Sequence, residues 1–241
     1  MEKESIYLDY YKNHYSNDID TFMYYKGYER YLRKSLWDII FSYNTNIRIL
    51  DLGCWFWGTA YFFSAHNYKN YEGIDLSKDE LDIARNNFPQ YTFFHEDIFN
   101  YLERDEKKYD IIFMSMVFEH LTIDQDKKLI ELVYKKLNTW GVFINYQPNA
   151  DSYFNSVSSR YIDITHERLW NWNSYIQFVK SCCNISGYEV KFRNSYIGSN
   201  WFLHAVHKIT KFFFEIFLLL MWYDKKSIYT KSFYSILKKV S

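Results

Sequence analysis

The chain has 241 residues, of which 48% are hydrophobic, and its 29 basic side chains balance its 29 acidic ones. That length supplies an ample core for one domain, while neutrality without a basic stripe excludes an ordinary polynucleotide-binding surface. Three cysteines, with Cys182 and Cys183 adjacent, cannot build a disulfide framework and fit a reducing cytoplasm, the expected location. No basic region followed by an apolar run opens the chain, so no secretory signal is expected. Aromatic residues make up 22% of it and share AT-rich codons with its Lys, Asn and Ile, so an isolated ring says little about function.

Residues 1–45 carry Tyr, His, Asn and Lys at roughly helical spacing, best in Tyr24 to Trp37, and are expected to form a helical lid. An apolar β-type run over 47–52 ends at Asp51 and Gly53 and leads into a helix at about 58–66. A strand at 71–75 follows, then a helix at 78–87 opened by Ser77, with Glu80 three residues on as a capping box. Strands at 91–95 and 109–115, a helix at about 124–137 and a strand at 141–146 continue the pattern. Alternation of this kind implies a parallel sheet with helices on both faces.

Beyond Pro148 the periodicity loosens, and 149–170 is expected to be a substrate loop with short helical turns. A helix at 171–183, a strand from Tyr188 to Asn194 and a last strand within Ile228 to Val240 complete the pattern. The apolar stretch Trp201 to Tyr223 is interrupted by His204, His207, Lys208, Lys211 and Glu215, which leaves an uncharged run too short to span a bilayer. A helix packed on the sheet or in a homodimer interface is expected there, ahead of peripheral contact with a membrane surface. With no repeat or flexible linker, 1–241 reads as a single domain: lid 1–45, cofactor-binding core 46–148, and substrate loop, helix and C-terminal strands 149–241.

The turn Asp51-Leu-Gly-Cys-Trp-Phe-Trp-Gly sits where the first strand of a nucleotide-binding α/β domain delivers a cofactor. Asp75 ends the second apolar run, where an acid can accept both ribose hydroxyls. Four segments in this order, Ile49 to Cys54, Gly73 to Ser77, His95 to Ile98 and Tyr109 to Leu121, resemble the class I S-adenosylmethionine (SAM)-dependent methyltransferases. The likeness spans roughly residues 45–150. An NAD-binding Rossmann domain fits worse, because its third glycine is not in register.

The resemblance implies a Rossmann-like seven-stranded sheet with the last strand antiparallel, helices on both faces, and a helical insertion before the last strand. It implies SAM as cofactor, with S-adenosylhomocysteine as product. Asp51, Gly53 and Cys54, with Gly58 and Thr59, would hold the amino acid portion, Asp75 with Leu76 the ribose, and Asp97 with Ile98 the adenine. Met114, Ser115 and Glu119 would face the sulfonium. Asp97 also reads as a helix cap. The family's glycine-rich turn is altered by Trp55 and Trp57 at the second and third glycine positions. Two indoles there must reshape the loop or point outward; either one faces the sulfonium or both pack against the N-terminal segment.

Methyl transfer is an in-line displacement from a reactive donor, so the protein chiefly aligns the acceptor and removes its proton. No metal is needed for that chemistry, and none is expected, because His204 and His207 lack a third ligand nearby. Two histidines are candidates for the base: His120 after the fourth strand, and His166, oriented by Glu167 or Asp163. Asp163-Ile-Thr-His-Glu resembles a segment of methyltransferases from surface-polysaccharide clusters, which implies an oxygen of a sugar or glycan precursor in capsule or lipopolysaccharide assembly. Other readings are a phosphate or phosphoramidate oxygen on such a precursor, a small molecule or quinone, and a non-catalytic partner subunit that has lost SAM through Trp55 and Trp57. Hydrolase elbows, Walker lysines and Cys-x-x-Cys pairs are absent.

Overall fold

The computed structural model describes residues 21–55, 58–152, 155–195 and 230–240, with isolated positions between 206 and 216. Trp57, His204, His207, most of the apolar stretch 201–223 and the first part of the expected lid lie outside the described residues. The chain divides into two compact units, 1–111 and 112–241. Seven strands follow the order β3-β2-β1-β4-β5-β7-β6, with β1 Arg48–Leu52, β2 Asn70–Asp75, β3 Thr92–His95, β4 Tyr109–Ser115, β5 Leu137–Pro148, β6 Tyr188–Asn194 and β7 Ser232–Lys239. This is the Rossmann-like arrangement expected, with β7 antiparallel to both of its neighbours.

In the first unit β1 pairs parallel to β2, and β2 parallel to β3. Ile49, Leu50 and Leu52 are all buried, so β1 reads as an unbroken apolar run because both of its faces are covered. The described helices are α1 Thr21–Ile40, α2 Gly58–Ala65, α3 Lys78–Asn87 and α4 Ile98–Arg104. Leu32, Leu36 and Ile40 recur every fourth residue along α1 and are buried as one stripe. Tyr25 of α1 stacks on Tyr61 of α2 at 5.2 Å between centroids, and Glu29 meets His66 at 3.0 Å. Ser77 caps α3 as expected, its hydroxyl accepting from the Glu80 N–H. Helix α4 lies between two expected strands, where only the alternative reading of Asp97 as a cap pointed to a helix. It has only seven residues, and the Asp97 carboxylate, which accepts from the N–H groups of Phe99 and Asn100, starts it.

In the second unit a 3-10 turn, Phe118–His120, follows β4. Helix α5, Ile123–Lys136, opens with a capping box between Thr122 and Gln125 and buries Leu129, Ile130 and Val133. Helices α6 Ser156–Tyr161 and α7 Trp172–Cys182 follow β5, the latter capped by Asn171. β5 is longer than its expected 141–146, because antiparallel pairing with β7 holds it out to Pro148 opposite Ser232. The isolated described positions Val206, Ile209, Phe212, Phe213 and Ile216 are helical and exposed. No described helix is long and apolar enough to cross a membrane.

Candidate active site

Two groups of chemistry-bearing residues lie after the carboxyl ends of strands, one in each unit. In the first, Gly53 turns the chain out of β1 with φ 70, a conformation that glycine adopts without penalty. Its N–H and that of Cys54 both donate to the Ile74 carbonyl, at 2.9 and 3.0 Å. The Trp55 N–H then donates to Asp75 Oδ2 at 2.9 Å, while the Ser77 N–H donates to Oδ1 at 2.8 Å. One indole-bearing residue is thus folded into the turn through its main chain. Burial raises the Asp75 pKa against the lowering effect of the Ser77, Trp55 and Leu76 N–H groups.

Asp51 is buried at the end of β1. Tyr71 donates to its Oδ2 at 2.6 Å, while Oδ1 has no hydrogen-bond partner. Burial pushes its pKa up to about 7, against the hydrogen bond from Tyr71. A buried acceptor without a donor is costly, and an α-ammonium group is the kind of donor that would satisfy it. Gly58 opens α2 beneath Tyr28: a Cβ there would meet the ring at 2.8 Å, so this close approach needs glycine. Thr59, Cys54 and Ile98 are buried, and Leu76 is exposed. Asp97 already spends one oxygen on the α4 cap, so the cap reading of that residue is realised.

The second group forms around the 3-10 turn. Met114 is fully buried in β4, a strand covered on both faces. Ser115 is half-buried, and Met116 takes φ 54 at the strand exit, a strained value for a side-chain-bearing residue. Glu119 is 2% exposed, and its Oε2 is buried without a partner. Burial raises the Glu119 pKa to about 8, with Asp163 adding to the effect. The Glu119 carbonyl accepts the main-chain N–H of Glu167 at 2.8 Å and of Arg168 at 3.4 Å. These bonds seat the 163–168 segment against the turn.

His120 and His166 are brought together by that seating, with ring centroids 4.8 Å apart. Burial lowers the His120 pKa to about 4, and His166 adds to this. His166 Nδ1 lies 2.6 Å from the Ser159 carbonyl, so that carbonyl orients the ring. Glu167 is exposed. Asp163 instead receives the N–H and hydroxyl of Thr165, at 2.8 and 2.5 Å, and Thr165 Oγ1 contacts His120 Nδ1 at 2.8 Å. Glu119, His120 and His166 each offer a metal-ligand atom, all within 4.8 Å of one another.

Sequence reasoning missed the Ser159 carbonyl, the role of Thr165, and the pair Asp126 and Arg168, 3.9 Å apart. The Asp163-x-Thr165 spacing is an Asx-turn signature and could have found Thr165. Asp126 shares the buried stripe of α5 with Leu129, Ile130 and Val133, and an acid on such a stripe is itself a signal.

Residues 49–141 match a family described as a methyltransferase domain. Among solved structures, a SAM-dependent methyltransferase from Archaeoglobus fulgidus is 18% identical with a TM-score of 0.65, covering 97% of this chain and 99% of that one. Magnesium protoporphyrin IX methyltransferase from Synechocystis PCC 6803, with bound SAM, is 10% identical with a TM-score of 0.61, covering 99% of this chain and 98% of its own. The plantazolicin methyltransferase BpumL, in complex with SAH, is 16% identical with a TM-score of 0.59, covering 99% and 90%. At these identities the likeness is one of fold. No curated protein matches the chain by sequence.

Proposed function

We propose, from the premise that this chain carries a class I methyltransferase domain with SAM as its methyl donor, that it methylates an oxygen of a polar small molecule or glycan precursor. The observation that carries the reading is the set of buried Glu119 and His166 with half-buried His120, held by Ser159, Thr165 and Asp163. A hydroxyl must lose its proton as it attacks the methyl group, and basic groups of this kind serve that loss. Removing His166 should therefore impair turnover more than donor binding.

On the donor side, Asp51 Oδ1 offers an unmet acceptor suited to the methionine ammonium. Asp51, Gly53, Cys54, Gly58 and Thr59 form the amino acid end, Asp75 and Leu76 the ribose end, and Asp97 and Ile98 the adenine end. The glycan class of acceptor is supported by the likeness of Asp163-Ile-Thr-His-Glu to polysaccharide-cluster methyltransferases and by the neutral, non-basic chain. A protein of this function works in the cytoplasm, where SAM and sugar precursors meet.

The test is direct. The purified chain is incubated with SAM and a panel of nucleotide sugars and lipid-linked oligosaccharides, and S-adenosylhomocysteine release is measured. Methylated sugar supports the reading. Turnover confined to quinones or peptides replaces the acceptor, and no thermal protection by S-adenosylhomocysteine or SAM replaces the enzyme by a non-catalytic subunit.

A further inference from the structure

The Glu119, His120 and His166 set has a definite protonation pattern, legible from its neighbours. A carbonyl only accepts, so the 2.6 Å contact with Ser159 O puts the proton of His166 on Nδ1 and leaves a lone pair on Nε2. The single hydroxyl proton of Thr165 goes to Asp163 Oδ1 at 2.5 Å. Thr165 Oγ1 then accepts from His120 Nδ1 at 2.8 Å. Beside these two imidazoles stands Glu119 Oε2, buried and without a hydrogen-bond partner.

We propose that Glu119, His120 and His166 hold one divalent transition-metal cation, of the zinc, iron or nickel class, through a carboxylate oxygen and one ring nitrogen of each histidine. Two nitrogens and one oxygen favour such ions over calcium or magnesium, which take oxygen ligands. Histidines that bind metal usually donate their other N–H to a carbonyl or a carboxylate-linked partner, and here both do. The ligand atoms lie within 4.8 Å of one another; bonds of about 2.0–2.1 Å to a central ion would draw them in by roughly 1 Å.

Three protein ligands leave a position open for a further oxygen. The chemical role of that position rests on the methyltransferase reading, whereas the cation site does not. An acceptor hydroxyl bound there loses its proton to solvent more readily. The oxygen's electron pair then forms the new C–O bond as the S–CH₃ bond of the donor breaks, and its electrons remain on sulfur.

The full chain, stripped with a chelator and dialysed, is titrated with Co²⁺ and followed by ligand-field absorption, with Zn²⁺ in competition. The expected result is one equivalent per chain. Glu119→Gln and His166→Ala should each weaken uptake at least tenfold, Thr165→Val by about 10–100-fold, and His95→Ala not at all. Circular dichroism on each variant establishes that it is folded. No saturable uptake by the natural chain, or uptake unchanged in both Glu119→Gln and His166→Ala, overturns the site. A chain that S-adenosylhomocysteine protects against heat but that takes up no metal loses this site and keeps its proposed function; the opposite pair of results does the reverse.

Discussion

The carbonyl of Glu119 accepts the main-chain N–H of Glu167 at 2.8 Å, and this bond joins two stretches of chain that no local pattern connects. Through it His166 is set beside His120. We expect His166→Ala to lower kcat by roughly 10²–10⁴-fold, the range for losing a group on which the acceptor's deprotonation depends. Affinity for S-adenosylhomocysteine should stay within a factor of two or so, since the donor end is built from other residues. Steady-state kinetics and calorimetry on the same preparation check both halves. If His120→Ala alone carries the kcat loss, the leading role passes to that residue.

Asp75→Ala should weaken SAM and S-adenosylhomocysteine binding by on the order of 1–3 kcal/mol, because ribose hydroxyls lose an ionised acceptor. The Trp55 and Ser77 N–H groups lose theirs too, so the turn itself should loosen. Calorimetric titration reads the affinity. An unchanged dissociation constant in a folded variant removes Asp75 from the donor site.

Gly58→Ala places a Cβ at 2.8 Å from the Tyr28 ring. We expect a loss of about 1–3 kcal/mol in stability, the usual cost of overpacking. Tyr28→Ala in the same chain should recover much of it, as residues in contact are not additive. Urea unfolding of the two single variants and the double variant measures the coupling, and strict additivity would show that the ring does not lie over Gly58.

Burial holds Asp126 protonated up to about pH 8, against the pull of Arg168, whereas in the unfolded chain an aspartate titrates near about 3.9. Between those values the folded state keeps a proton that the unfolded state has lost. The stability from this group is therefore fully present at about pH 4 and is lost as pH rises through about 8. Asp126→Asn keeps the shape without the titration, so its melting temperature should fall less between pH 5 and pH 9 than that of the natural chain. Parallel slopes for the two proteins would contradict the burial argument.

Much of the fold was legible in the sequence because its causes are local. Apolar runs of strand length, the Ser77 cap and the Asp51 to Gly53 strand exit place β1, β2, α3 and β4 to within a residue or so. The strand from Tyr188 to Asn194 was expected with the bounds that it has. Residues such as Asp51, Gly53 and Asp75 stand out for the same reason: a turn and a strand end constrain their neighbours directly.

Other features depended on contacts between distant parts of the chain. Helix α4 is too short to show a period of its own and is fixed by its Asp97 cap and the burial of Phe99 and Leu102. The length of β5 follows from β7, which lies far along the chain. The direction of Met114 follows from burial on both faces of β4, and the ring states of His120 and His166 from the groups that receive their protons. The sequence by itself determined the alternation of elements and the turn chemistry, since hydrophobic period and capping act within a few residues. Only the tertiary structure decided that Glu119, His120 and His166 form one set, because long-range main-chain hydrogen bonds bring those side chains together and burial strips them of water.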